Sequence, residues 1–164
     1  MSGGSRRSRY LTIAFLWWAV AAAQAQGNTE AAKRFVGTWR LVSLEVDGQP
    51  GPNTGSHPTG RIYYDAAGNM AAQILPDRPR SKWTGAVPTP DEARETVIGY
   101  VAYFGTYTVD DRERVISHQR AGALNPNWAD APPLVRRYEF IGDDRLVLIP
   151  VDNPRMRLTW ERIK

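Results

Sequence analysis

From Gly37 onward, apolar and polar residues alternate with a period of two over most of the chain, the spacing of strands with one face on a core. In the first such segment Trp39 and Leu41 share one face, Val42, Leu44 and Val46 take the other, and Asp47-Gly48 ends the run. Alternation resumes at Ile62-Tyr63-Tyr64 and from Met70 to Leu75. These flank Asp65-Ala66-Ala67-Gly68-Asn69, a hairpin loop whose Gly sits where a positive φ is needed. It continues through Thr106 to Asp110, Arg114 to Ala121, Leu134 to Ile141, Arg145 to Ile149 and Met156 to Ile163. Turns at Asp111-Arg112-Glu113, Gly142-Asp143-Asp144 and Asp152-Asn153-Pro154 punctuate the second half, and the pattern as a whole predicts eight strands.

The period changes once. Thr89-Pro90-Asp91-Glu92 combines an N-cap threonine, proline at the first helical position, two acids at the positive helix end and Glu92 where a capping box wants it. Ala93, Val97, Val101 and Phe104 then recur at helical spacing, which predicts one helix of about three turns with an apolar stripe against the sheet. Gln49 to Pro58 and Pro76 to Pro88 are proline-punctuated loops. Eight strands joined mostly by short turns favour an all-β fold, a single antiparallel barrel with the α-helix inserted between the third and fourth strands. Closure removes exposed edges. The alternative is an open two-layer sheet with the helix packed across one face.

Upstream, Arg6, Arg7 and Arg9 precede an apolar run from Tyr10 to Ala23, and Ala23-Gln24-Ala25 has the small-x-small form of a signal-peptidase site. The run is shorter than the roughly 20 apolar residues of a membrane span and has no basic stop-transfer flank. Residues 1–25 therefore read as a cleaved signal peptide, 26–34 as a lead-in across one end of the barrel, and 35–164 as the barrel domain. The expected location is periplasmic or secreted, with cleavage after Ala25 and no stable membrane anchor afterwards. Removing 25 of the 164 residues leaves 139, the size of one domain with one core. Three of the 21 basic and none of the 17 acidic residues fall in the leader, so 18 face 17 and the charge gives no support to nucleic acid as a partner. With no cysteine, the exported domain is held by its core and not by disulfides.

Several motifs occur in an order that resembles a known family. They are Gly37-Thr38-Trp39-Arg40-Leu41-Val42-Ser43, the Thr89-Pro90-Asp91-Glu92 helix start, Gly105-Thr106-Tyr107, His118, Asn125-Pro126-Asn127-Trp128, and Val135-Arg136-Arg137-Tyr138-Glu139-Phe140 followed by Arg145-Leu146-Val147-Leu148. Together, from about Phe35 to Arg162, they look like the bacterial and fungal lipocalin-like domain. The resemblance implies a lipocalin-type barrel and allows either ligand carriage or ring-forming and isomerising chemistry. It also implies an arginine near the last strand stacked over the Gly-x-Trp indole. Here Trp160 with Arg157 or Arg162 is the nearest match, and Trp39 is expected to be structural.

Candidate chemistry lies in what points inward. Leu134, Arg136, Tyr138 and Phe140 share a face, so Arg136 is expected inside, where it needs a carboxylate such as Glu45 or an anionic or carbonyl-bearing ligand. His118 shares a face with Ile116 and Arg120 and is either a hydrogen-bonded structural residue or the group that moves a proton near neutral pH. Tyr63, Tyr64, Tyr107 and Tyr138 can supply hydroxyls around it, with half of them facing outward because adjacent strand positions alternate. Trp128 is placed to cover a ligand at the barrel mouth, or to pin its loop alongside Asx turns. Arg78, Arg80, Lys82 and Trp83 form a basic loop, read as solvated or as facing an anion. His57 and His118 are too far apart in the chain to suggest a zinc site, and neither a metal nor another cofactor is expected. No nucleophile elbow, phosphate loop or dinucleotide fingerprint is present in the sequence.

Two functions fit these residues, beside a third reading as a purely structural or interaction module with a filled interior. One is an exported carrier of a small apolar or amphipathic molecule, bound by Tyr64, Tyr107, His118, Trp128, Arg136 and Tyr138. The other is a cofactor-free isomerase or cyclase acting on a small carbonyl-bearing apolar substrate, with His118 or Tyr107 exchanging a proton and Arg136 stabilising negative charge.

Overall fold

The computed structural model describes residues 29–128 and 131–164; the leader and its cleavage site lie outside them. Eight strands form the barrel: β1 (Gly37–Val46), β2 (Thr59–Tyr64), β3 (Asn69–Leu75), β4 (Val101–Asp110), β5 (Val115–Ala123), β6 (Leu134–Ile141), β7 (Arg145–Pro150) and β8 (Met156–Arg162). Each pairs antiparallel with the next, and β1 also pairs with β8 from Trp39–Arg162 to Val46–Met156, so the sheet closes on itself. This excludes the open two-layer sheet. Gln49–Pro50 adds a two-residue pairing to the end of β1.

Two expectations change in detail. Strict alternation along β1 would set Leu44 opposite Trp39 and Leu41, but a bulge between Leu41 and Ser43 inserts one residue against β8. Trp39, Leu41 and Leu44 are therefore all buried, and Val42 is left outside. The inserted helix α2 is Pro90–Val97, capped as expected by Thr89 and Glu92 in a reciprocal capping box. It is shorter than three turns and none of its residues is buried, because Val101 and Phe104 belong to β4. The chain reverses at Gly99, whose φ of +75° and whose contact with the Asn53 carbonyl, 2.1 Å from where a Cβ would lie, admit only glycine.

The lead-in runs into the barrel domain as a second helix, α1 (Glu30–Phe35), with Thr29 accepting from the Ala32 amide as N-cap. Its last residue enters the barrel end. The Phe35 ring is fully buried, with edge-on contacts to Tyr64, Tyr138 and Phe140 at centroid distances of 5.5, 5.0 and 4.9 Å. Trp39 Nε1 donates to the Phe35 carbonyl at 2.8 Å. Trp39 and Arg162 are directly opposed across β1 and β8, which lays the guanidinium 4.1 Å from the centroid of the indole ring. From there Arg162 donates to the carbonyls of Arg34, Val36 and Asp143, tying helix, strand and turn together. Gly37 makes room for it: a Cβ there would lie 2.9 Å from Arg162 Nη1.

Candidate functional site: the barrel interior

The barrel interior divides into a filled half and an open half. Short turns join β2–β3, β4–β5 and β6–β7 at the end plugged by α1. There Tyr107 donates to the Asp65 carbonyl and Tyr138 to Asp111 Oδ1, both at 2.8 Å, so each hydroxyl anchors a turn. Burial, with the Asp65 charge for Tyr107 and the Asp111 hydrogen bond for Tyr138, pushes both phenols up to about 12. Neither residue belongs to the lining of the cavity at the opposite end of the barrel.

At the other end, the long loops leave a cavity of about 430 Å³. Its walls are Leu44, Ile62, Ala72, Ile74, Val101, Leu148, Leu158 and Trp160; Pro52–Thr54, Asp152 and Asn153 form the rim, and Tyr103, Trp128 and Arg136 also line it. Trp128 ends a short 3₁₀ turn (Pro126–Trp128) pinned by the Asn125 side chain accepting from the Asn127 amide. Its ring meets Tyr103 edge-on at 6.2 Å and lies under the Arg120 guanidinium. The mouth position and the structural pinning expected for this loop are thus both present. A larger depression of about 850 Å³ lies on the outer face, lined by Arg40, Val42, Arg61 and Arg80 among others. It carries none of the interior polar groups.

His118 sits beneath the cavity, fully buried and not on its wall. Tyr64 Oη is 2.8 Å from its Nε2; Tyr103 Oη is 3.0 Å and Arg136 Nη1 3.2 Å from its Nδ1. A guanidinium can only donate, so Nδ1 is an acceptor, and the ring proton resides on Nε2 and is donated to Tyr64. Burial first, then the charges of Arg136 and Arg120, hold the imidazole well below its usual pKa of 6.5. Burial likewise raises the Tyr64 phenol far above its usual range. His118 is therefore a neutral strut that orients Tyr64, Tyr103 and Arg136.

Of the six residues expected to bind ligand, Trp128 and Arg136 line the cavity, Tyr64 and His118 support its floor, and Tyr107 and Tyr138 belong to the filled half. Glu45 is not the partner of Arg136: among the described residues no carboxylate pairs with this guanidinium, whose side chain reaches only His118 and the Leu134 carbonyl. Two lining residues are not signalled by the sequence pattern: Tyr103 is concealed in the Val97–Val101–Phe104 helical spacing, and Trp160 fits equally well as a stacking partner of an arginine. Arg120 was placed on the His118 face without a role; it is 5% exposed, donates to the Pro132 carbonyl and stacks on Trp128. The basic loop faces helix α2: Arg78 bonds Glu95 and the Ile98 carbonyl, Arg80 the Thr96 carbonyl and Trp83 the Thr96 hydroxyl. Among the described residues no cluster of His, Cys, Asp and Glu has the makings of a metal site.

Residues 36–163 match the model of a family described as a lipocalin-like domain. Among solved structures, a redesigned beta barrel is similar at 9% identity, covering 84% of this chain and 98% of its own, with a TM-score of 0.46. A comparison with curated proteins finds no match.

Proposed function

The chain belongs to the lipocalin-like domain family, and from that premise we propose that it is an exported protein that binds a small, largely apolar molecule in the open half of its barrel. The observation that carries this reading is the cavity itself: about 430 Å³ of space, walled mostly by aliphatic and aromatic side chains, with Arg136 and Tyr103 among its polar groups. A barrel that had no ligand to admit would be filled here as it is around Phe35. The Arg-rich start and short apolar run of residues 1–25 support export.

Binding is favoured over the isomerase or cyclase alternative by the state of His118. Both its nitrogens are occupied, it does not line the cavity, and its depressed pKa makes it a weak base at neutral pH. Native mass spectrometry of protein purified from its own extracytoplasmic compartment tests the reading. A bound small molecule released on denaturation is expected. An empty spectrum, together with no uptake of an apolar fluorescent dye, would overturn it.

A further inference from the structure

Inside the barrel, the polar groups without partners are donors. Arg136 spends Nη1 on His118 and, at 3.4 Å, on the Leu134 carbonyl; among the described residues nothing accepts from its Nε or Nη2. Trp160, on the cavity wall and 1% exposed, has an indole N–H without a partner, and the buried Nε of Arg120 behind Trp128 has none either. The imidazole facing Arg136 is neutral and offsets no charge. The carboxylate in the cavity lining, Asp152, is exposed at the rim. A cation half-buried in an apolar chamber, with its bidentate edge free, is costly unless something anionic completes it.

Building on the binding role proposed above, we infer that the ligand is an amphipathic monocarboxylate. Its two oxygens accept from the Nε–Nη2 edge of Arg136 beside the Tyr103 hydroxyl, and its apolar body lies against Leu44, Ile62, Ile74 and Leu158. The planar fork of a guanidinium matches a carboxylate, and one free edge matches one negative charge. The volume lies toward the small end of ligand sites, which suits one short chain or ring system and not a two-chain lipid.

Calorimetric titration of the purified protein with decanoate, methyl decanoate and decylamine tests this inference. The acid is expected to bind at least about tenfold tighter than the ester, the value of one charge-assisted contact, and the amine weakest of the three. Arg136→Met is expected to lower acid affinity by about tenfold or more and to leave the ester within about threefold. It should also raise the melting temperature of the ligand-free protein, because an uncompensated cation is gone and Tyr103 still satisfies His118 Nδ1. Acid and ester binding alike, or an acid preference that survives Arg136→Met, overturns the carboxylate inference while apolar binding stands. Failure of all three probes to bind overturns the binding role along with it.

Discussion

At the scale of single residues, His118 couples the interior to pH. Its folded pKa lies well below the 6.5 of the free side chain, so between those values the unfolded chain binds a proton that the folded chain does not. Stability is therefore full above about pH 6.5 and falls as pH drops toward the folded pKa, by about 1.4 kcal/mol per pH unit. Urea melts between pH 7 and pH 5 should show this slope, and His118→Gln should abolish it, because an amide can accept from Arg136 and donate to Tyr64 without titrating. The same variant should hold ligand affinity within about threefold, whereas loss of a general base costs about a hundredfold or more in rate. The inward face of β6 was legible because Leu134, Arg136, Tyr138 and Phe140 obey a period of two with no bulge. What was not legible was depth along that face: alternation fixes the side of the sheet, and Arg136 and Tyr138 share a side yet serve opposite halves of the interior. Arg162 was one of two arginines compatible with the Trp39 stack, and only the β1–β8 register selects it.

At the scale of elements, strand count and order were readable from turn residues, and so was the start of α2, where capping chemistry is local. Its end was not. Val97, Val101 and Phe104 fit a helical spacing by coincidence, and the competing signal was Gly99, needed at positive φ against the Asn53 carbonyl. The bulge in β1 was equally hidden, since it depends on the partner strand and not on β1 itself. Helix α1 carries the polar, alanine-rich lead-in into the barrel domain, where Phe35, its last residue, anchors it. Phe35→Ala is expected to cost about 3–5 kcal/mol in urea melts, the range for emptying a fully buried aromatic site. A loss below about 1 kcal/mol would mean that the anchoring of helix α1 is dispensable to the fold.

At the scale of the whole molecule, stability comes from one closed sheet and its core, with no cysteine in the chain to add a covalent tie. The near-balance of 18 basic and 17 acidic residues beyond position 25 gives the domain no strong field with which to gather polyanions. The proposed export rests on the sequence of the first 25 residues. Intact-mass measurement of the protein recovered from its native host should give a chain beginning at Gln26, and a full-length chain retained in the cytosol would sink this part of the proposal.

The helix that seats Phe35 closes one end of the barrel, which among the described residues leaves the opposite mouth open. A molecule bound as proposed would leave by the mouth through which it arrived, between Pro52–Thr54, Trp128 and Asp152–Asn153. A rim change that only narrows the passage then slows capture and escape in equal proportion, altering how long cargo stays without altering how much is held at equilibrium. Residence time and affinity are thereby separable: the first belongs to the threshold, the second to the chamber behind it.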